Sequence, residues 1–337
     1  MAKNKLQFFY FTECLLPLKV MLKSTSRQFQ DVNVKNPETY YNYEQYKIKT
    51  GEIEDYRIAF RLGRGKYSEV FEGRKGTERV VIKLLKPVRE SKINREILIL
   101  KNLNHENIIK LQDVVMDKDS GTYSLIFNYI KHDDTIKLFE TFDINDIRFY
   151  AKQILEALKY AHSKGIMHRD IKPHNIIINQ KNKKLLLIDW GLAEFYHPNK
   201  DYSVRVASRY YKSPELLLNY PYYNYSLDIW SFGCVLAEMM FKKRPLFKGE
   251  NNADQLMRIC NSLGKNDFNI YCKKYDIELV CLKDTPKERC DFEESLLVKS
   301  KDYKLAVNLL NKILVYDHIE RYTADECLQH SFFNKID

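Results

Sequence analysis

The chain has 337 residues, of which 45% are hydrophobic, so it can bury a sizeable core in one large domain or in two lobes. Its seven cysteines are odd in number and form no Cys-x-x-Cys pair, which argues against a disulfide framework and a zinc site and indicates a reducing, intracellular compartment. No apolar run reaches the roughly 18 residues that a membrane span needs, so we expect no membrane role.

The formal net charge of +10 favours association with an acidic protein or with nucleic acid. Lysine is spread along the whole chain beside many Asn, Ile and Tyr residues, however, so biased residue usage explains the charge equally well. We expect acidic protein substrates and no direct nucleic-acid role.

The first 54 residues are predicted to be an N-terminal extension whose latter part docks on the rest of the chain. Residues 6–20 are apolar and follow Lys3 and Lys5, as in a signal peptide, but Glu13 interrupts the run and no small-residue cleavage site follows. We therefore expect a variable extension or an upstream start codon in place of a targeting segment.

Residues 55–130 are predicted to form a small, β-rich lobe, because short apolar segments alternate there with turn residues. Gly63-Arg64-Gly65-Lys66 is a tight turn between the first two strands. The predicted elements are strands at 56–62, 70–73, 80–85 and 125–130 and one helix, of apolar period 3.6, at 93–103.

Residues 131–337 are predicted to form a larger, mostly helical lobe. The polar residues 131–134 make a natural hinge, and residues 145–163 form an amphipathic helix that ends at Gly165, as helices commonly end at glycine. The predicted fold class is therefore α+β, with two lobes of unequal size.

The stretch 168–175 and the later Asp189 contain the groups that transfer of a γ-phosphoryl group requires. Asp170 suits the carboxylate that lies near the acceptor hydroxyl, and Lys172 can reach the moving phosphate. Asn175 and Asp189 offer the hard oxygen ligands that Mg²⁺ prefers. These four residues are the predicted catalytic and metal-binding groups of an ATP-dependent reaction.

A glycine-rich pattern, Gly63-x-Gly65-x-x-Ser68-x-Val70, is typical of a loop that covers phosphates, because absent side chains let backbone N–H groups approach them. The pattern alone is weak evidence, and it gains force from Lys83 on the following strand. Lys83 is expected to contact the α and β phosphates and to pair with Glu96 on the next helix. A plain surface ion pair is the alternative interpretation.

A narrow, shape-selective pocket for the nucleotide base is predicted from the bulk of Val81, Phe127, Ile177 and Ile188. Simple core packing explains each of these residues equally well when it is taken singly. The predicted nucleotide contacts are Leu62, Gly63, Arg64, Gly65, Ser68, Val70, Val81, Lys83, Phe127, Asn128, Ile130, Ile177 and Ile188.

Trp190 follows the predicted metal ligand, and a buried Trp N–H seeks an acceptor. Our hypothesis is that it donates to a nearby backbone carbonyl such as that of Leu187, and packs in a column with Leu100, Leu111 and His168.

Two clusters of basic residues flank the predicted cleft. Together they favour an acidic substrate, although solvated charges or cations that bind the chain itself are the alternative. The clusters are Arg205, Arg209 and Lys212 in one stretch and Arg89, Lys92 and Arg95 in the other.

With these motifs, five stretches resemble the catalytic alpha subunits of casein kinase II, a family of Ser/Thr protein kinases. The resemblance covers roughly residues 31–333. The stretches are residues 62–72 (LGRGKYSEVFE), 189–198 (DWGLAEFYHP), 205–210 (RVASRY), 225–231 (YSLDIWS) and 316–318 (YDH).

The resemblance implies a bilobal protein kinase fold, ATP and Mg²⁺ as cofactors, use of GTP as well, and acceptors of the type Ser/Thr followed by acidic residues. Residues 189–215 then form the activation segment, whose candidate phosphate acceptors are Tyr202, Ser203 and Ser208, without a Thr-x-Tyr pair. Because regulated kinases need an acceptor that a basic cluster can hold, we expect constitutive activity.

The resemblance also implies an N-terminal segment docked on the activation segment, and residues 31–33 and 37–40 match it. It implies a heterotetramer with a dimeric regulatory beta subunit bound to the outer strands of the small lobe, and residence in the cytoplasm and the nucleus. Glu215 is expected to pair with Arg321. One departure is the basic run before Glu96, where Glu90 reverses a charge and should weaken binding of distant acidic positions.

Two alternatives remain at this stage. A pseudokinase scaffold has no need to keep all of Lys83, Glu96, Asp170, Asn175 and Asp189, which are present. A proline-directed kinase of the same group conflicts with the Asp-Trp-Gly motif and with the basic residues of the activation segment.

Overall fold

A computed structural model describes residues 21–278 and 285–334, so the apolar stretch at 6–20 lies outside the described residues. Two short helices begin the described chain, and a five-stranded antiparallel sheet of order β1-β2-β3-β5-β4 follows with one helix. These elements are α1 (Val32–Lys35), α2 (Glu38–Tyr41), β1 (Tyr56–Arg64), β2 (Ser68–Lys75), β3 (Glu78–Leu85), α3 (Glu90–Asn102), β4 (Leu111–Asp117) and β5 (Thr122–Asn128). The strands and the helix predicted for residues 55–130 are present; β4 was not predicted.

The chain after residue 130 is mainly helical and carries two small two-stranded sheets, β6 with β9 and β7 with β8. Its strands are β6 (Ile166–Met167), β7 (Ile176–Asn179), β8 (Lys184–Leu187) and β9 (Glu194–Phe195). Its helices are α4 (Thr135–Thr141), α5 (Ile144–Ser163), α6 (Pro214–Leu217), α7 (Ser226–Phe241), α8 (Asn252–Leu263), α9 (Lys265–Lys274), α10 (Lys301–Ile313) and α11 (Ala324–Leu328). The α+β class is confirmed. Within the described ranges, no helix is both long and apolar enough to cross a membrane.

Local signals explain where the long helices begin and end. The Asp143 side chain accepts from the backbone N–H of Asp146 and the Asp146 side chain accepts from that of Asp143, a capping box that starts α5. The helix ends at Ser163, and Gly165 then adopts a φ of +73°, which only glycine reaches without strain. Helix α7 is buried along its whole length, so it forms the centre of the larger lobe.

The N-terminal segment lies against the larger lobe and the activation segment. The Asn33 Nδ2 atom donates to the carbonyl oxygens of Gly165 at 2.8 Å and Tyr196 at 2.9 Å, and Asn33 is fully buried. The Tyr40 hydroxyl donates to the Lys164 carbonyl at 2.9 Å. A buried amide that bonds two carbonyls fixes the segment in one position.

Candidate active site

Lys83 lies at the centre of the site, where β3 places it beside Val70 of β2. Its Nζ atom is 2.7 Å from Glu96 Oε1 and 2.7 Å from Asp189 Oδ1. Burial alone would lower the pKa of Lys83, but the two carboxylates raise it above its ordinary value. The predicted ion pair with Glu96 is present, and the lysine is a cation at neutral pH.

Asp189 and Asn175 are the predicted metal ligands; Asp189 lines the cleft, and Asn175 is buried beside Asp170. Burial would raise the pKa of Asp189, but Lys83 holds it below its ordinary value, so the carboxylate is ionised. The Asn175 Nδ2 atom donates to the Asp170 carbonyl at 2.8 Å and to Asp170 Oδ2 at 3.0 Å, which leaves the amide oxygen for a cation. This donor set fits Mg²⁺, a hard cation with few protein ligands.

The Asp170 carboxylate already binds a hydroxyl in this geometry. Ser208 donates to Asp170 Oδ1 through its backbone N–H and its Oγ atom, each at 3.0 Å. The Lys172 Nζ atom is 2.6 Å from Asp170 Oδ2 and 2.9 Å from Ser208 Oγ. A carboxylate that holds a hydroxyl beside a lysine has the arrangement that a general base for an alcohol requires.

A buried aspartate of α7, Asp228, holds the backbone of residues 168–175, which we call the catalytic loop. It accepts from the backbone N–H groups of His168 at 2.8 Å and Arg169 at 2.7 Å, and it lies 3.0 Å from the His162 ring nitrogen. Burial would raise the pKa of Asp228, but these hydrogen bonds lower it. Arg169 has a φ of +65° and Asp189 a φ of +59°, a strained conformation for residues other than glycine.

The predicted base pocket lies between the two lobes. Val81 of β3 pairs with Phe127 of β5, Ile177 of β7 pairs with Leu186 of β8, and Ile188 follows β8. Val81, Ile177 and Ile188 are partly buried, while the side chain of Leu62 is 47% exposed at the mouth. The roles of these side chains in nucleotide binding stay predictions.

The hypothesis for Trp190 is wrong in one respect. Its ring is buried and packs edge-to-face on His168, with centroids 4.5 Å apart, but its Nε1 atom has no hydrogen-bond partner among the described residues. The Leu187 carbonyl is already the acceptor of the Ile109 N–H at 3.0 Å, so it is paired elsewhere. The ring therefore supports the site through packing alone.

The basic clusters divide into cations that bind the chain and cations that do not. Lys212 is buried and donates to the carbonyls of Val204 and Val206, and Arg95 lies 2.8 Å from Glu194 Oε2. The prediction that Lys212 is a substrate ligand is corrected, because its charge is engaged inside the protein. Arg95 also lines the cavity that contains Asp170, so its role as a substrate ligand stays a prediction.

Arg209 takes an intermediate position, since its guanidinium reaches the carbonyls of Gly249 and Glu250 while the residue stays exposed. Arg89, Lys92 and Arg205 are exposed, and none of the three has an ion pair in the described parts of the chain. Lys92 and Arg205 line a cavity of about 470 Å³ between the glycine-rich loop, α3 and the activation segment. The remaining lining residues include Lys66, Asp170, Lys172, Asp189 and Ser208.

Two arginines, the buried Arg169 and the partly buried Arg95, converge on one carboxylate of the activation segment. Glu194 Oε2 lies 2.8 Å from an Arg95 nitrogen and 3.7 Å from an Arg169 nitrogen, and Glu194 is 5% exposed. Arg95 belongs to α3, Arg169 to the catalytic loop and Glu194 to β9. This carboxylate therefore joins three elements whose relative position defines the cleft.

The far end of the activation segment has a second anchor, which was predicted. Arg321 donates to the two Glu215 carboxylate oxygens at 2.9 and 3.1 Å, and both side chains are fully buried. Burial would raise the pKa of Glu215, but Arg321 lowers it. The expected pair is confirmed as a bidentate ion pair.

Sequence reasoning missed four residues of the site, namely Arg169, Glu194, Ser208 and Asp228, as contributors to its geometry. Asp228 stands inside the YSLDIWS stretch and could have been found there, because a lone Asp in an apolar helix needs buried partners. Nothing in the spacing of Glu194 indicates its two arginine partners.

Comparison with known proteins identifies the class of the chain. A model of the protein kinase domain family matches residues 56–333, and the chain belongs to that family. It is a Ser/Thr protein kinase. More particularly, it is 58% identical over 320 residues to a probable casein kinase II subunit alpha homolog of Encephalitozoon cuniculi (strain GB-M1), over 93% of this chain and 99% of the relative. The chain is thus a protein kinase similar to casein kinase II alpha, and the kinase family uses ATP and Mg²⁺.

Proposed function

We propose that the chain is a constitutively active, acidophilic kinase that transfers the γ-phosphoryl group of ATP to Ser or Thr followed by acidic residues. The observation that carries constitutive activity is the convergence of Arg95 and Arg169 on Glu194. A phosphorylated activation segment supplies an anion for such arginines. Here a carboxylate of the chain itself supplies that anion, so no phosphate is needed.

A further observation removes one candidate acceptor in the activation segment. The Tyr202 hydroxyl is buried, donates to the Phe195 carbonyl at 3.1 Å and accepts from the His197 N–H at 2.6 Å. A hydroxyl in these contacts is not presented to a second kinase molecule. The segment keeps its shape through internal bonds.

The residues divide the reaction between them. Asp170 orients the acceptor hydroxyl and takes its proton, and Lys172 offsets charge on the transferred group. Lys83 contacts the phosphates while Glu96 holds its position. Asp189 and Asn175 would hold Mg²⁺, which supplies charge neutralisation at the β and γ phosphate oxygens when bound.

Acidic specificity rests on the exposed cations of the cleft. Lys66, Lys92 and Arg205 line the same cavity as Asp170 and have no carboxylate partner in the described ranges. Side chains that follow the acceptor hydroxyl must enter this cavity, where carboxylates are favoured over apolar groups. A proline-directed kinase needs no such free cations.

The test compares phosphate transfer from ATP to two peptides of equal length. One is an acidic Ser peptide, and the other is a Ser-Pro peptide without net charge. We expect labelling of the acidic peptide only, lost in Asp170→Asn. Labelling of the Ser-Pro peptide would replace the acidic assignment with the proline-directed one. Binding of Mg²⁺-ATP without transfer to either peptide would favour a scaffold.

Three properties are proposed from the family resemblance. GTP should serve as a second phosphoryl donor, which competition between labelled ATP and unlabelled GTP tests.

A regulatory beta subunit should bind β1, whose Ile58 and Phe60 are 57% and 55% exposed, an unusual state for large apolar side chains. Ile58→Glu should abolish that complex in size-exclusion chromatography and leave peptide kinetics unchanged. Residence in the cytoplasm and nucleus can be tested with a fluorescent fusion.

A further inference from the structure

A second basic cleft lies outside the catalytic site, behind the hinge that joins the lobes. Its cavity has a volume of about 390 Å³ and shares no lining residue with the cavity that contains Asp170. Its walls come from the connection between α3 and β4, the start of β4, the end of β5 and strand β8. We call it the hinge-back cleft and define it by His105, Lys110, Gln112, Asn128, Lys184 and Leu186.

Lysines crowd the rim of the hinge-back cleft without acidic partners. Lys110 and Lys184 line it and are exposed. Lys131 is close to them, because its carbonyl accepts from Asn179 Nδ2 at 2.8 Å and Asn179 pairs with Lys184 across β7 and β8. In the described chain, no carboxylate lies within 4.0 Å of the Nζ atoms of these three lysines. The turn between β7 and β8 adds the exposed Lys181 and Lys183.

The acidic groups of the neighbourhood are few and mostly engaged. Asp133 accepts from the backbone N–H of Gln180 at 2.9 Å, and Glu156 lies 3.8 Å from Lys152. Glu106 is the one carboxylate among the described residues that line the cleft. Burial lowers the pKa of His105, so this ring is neutral at neutral pH. Lys110 and Lys184 outnumber Glu106 in the lining of the cleft, so the lining carries a net positive charge that Glu106 only partly offsets.

The backbone beside the cleft suits an extended segment. Strand β4 is an edge strand of the sheet, and Gly51 covers it near Asp113 and Val115, through its N–H bond to the Val114 carbonyl at 2.8 Å. The Val114 N–H is also taken, because it donates to Asp113 Oδ1 at 2.8 Å. Within the described residues, no β-bridge covers the outer side of residues 111 and 112, next to Lys110. An uncovered strand edge binds extended peptides through main-chain hydrogen bonds.

We propose that the hinge-back cleft is a docking site for an acidic, extended segment of a protein substrate, at a distance from the residue that is phosphorylated. Main-chain groups of β4 contact the segment, and the lysines of the rim select its carboxylates. Docking raises the local concentration of the acceptor at the cleft, so it lowers KM for proteins that carry such a segment and leaves short peptides unaffected.

The kinetic test uses the full chain and two substrates. One is a short acidic Ser peptide, and the other is the same peptide joined by a flexible Gly/Ser linker to twelve Glu and Asp residues. For Lys110→Glu/Lys184→Glu we expect KM for the long substrate to rise by about tenfold with kcat unchanged, and both constants for the short peptide to stay the same. The matched control is Lys273→Glu/Lys299→Glu, which makes the same change in net charge at two other exposed lysines and should change nothing.

A binding test keeps the proposal separate from the proposed function, because it needs no catalysis. A labelled twelve-residue acidic peptide without Ser or Thr is titrated by anisotropy in the presence of excess short peptide, which fills the catalytic cleft. The control for this test is Lys273→Gln/Lys299→Gln. Weaker binding of the peptide to Lys110→Gln/Lys184→Gln than to the wild type and this control, with equal thermal midpoints, supports the docking site. Equal affinity, equal KM changes for both substrates, or loss of single-stranded oligonucleotide binding alone would overturn it, the last in favour of nucleic acid.

Discussion

The basic cluster of the activation segment and the basic run at the start of α3 have similar composition but different contacts. Lys212 in the first is buried against the carbonyls of Val204 and Val206. Arg89 and Lys92 in the second are exposed and have no ion pair in the described part of the chain. Each cluster uses one cation inside the protein, Lys212 in the first and Arg95 in the second. The run at α3 keeps Arg89 and Lys92 free of ion pairs in the described ranges, whereas the activation segment keeps Arg205.

The difference shows what sequence can predict about this site. Lys83, Glu96, Asp170, Asn175 and Asp189 come together as expected, since motif spacing fixes them on β3, α3 and the catalytic loop. Four of the five strands of the sheet and α5 also follow from local patterns, whereas β4 does not. Contacts of long side chains do not, because they depend on which carbonyls the chain leaves unpaired nearby.

Arg95 and Trp190 illustrate the same limit. The sequence shows a cation and a ring N–H, but their partners come from other elements. Glu194 of β9 accepts from the Arg95 guanidinium. The Ile109 N–H donates to the Leu187 carbonyl, which the Trp190 indole was expected to bind. Neither event leaves a signal at the residue concerned.

Removal of the Arg95 charge should have the largest effect on stability. Arg95→Met leaves the buried Glu194 with one distant arginine, so we expect a loss of about 3–5 kcal/mol in the free energy of unfolding. Arg89→Met, in the same helix run but exposed, should change it by less than about 0.5 kcal/mol. Urea unfolding of both variants is the measurement, and equal losses would show that Arg95 is not a structural cation.

Lys212→Met should have the next largest effect. It leaves the carbonyls of Val204 and Val206 without their donor, which costs about 1–3 kcal/mol and loosens the segment that holds Ser208 on Asp170. We expect both kcat and the free energy of unfolding to fall. A rise in KM alone, with unchanged stability, would instead restore Lys212 as a substrate ligand.

Charge reversal at the free cations Lys92 and Arg205 should change KM and leave stability unchanged. Lys92→Glu and Arg205→Glu should each raise KM for an acidic peptide by about tenfold, equivalent to about 1.4 kcal/mol, without a change in stability. The control is Lys273→Glu. Unchanged KM in both variants would remove the basis for acidic specificity.

The smallest expected effect is a dependence of stability on pH. Burial lowers the pKa of Lys212, and Asp170 only partly opposes this, so the unfolded chain binds the proton more tightly than the folded one. Between the lowered pKa and the ordinary value near 10.5, the contribution of Lys212 to stability should rise with pH. Comparison of wild type with Lys212→Met in this alkaline range checks the sign, and a steeper rise in the variant would contradict it.

We propose above that Glu194 takes the place of an activating phosphate between Arg95 and Arg169. The most direct measurement is the time course of acidic-peptide phosphorylation by protein treated with phosphatase, shown by intact mass to carry no phosphate, beside Glu194→Gln. We predict a linear rate from time zero for the wild type and a rate lower by about tenfold or more for the variant. A lag that preincubation with ATP removes would show that the kinase must be phosphorylated before it is active. Equal rates for the two proteins would show that Glu194 does not replace an activating phosphate.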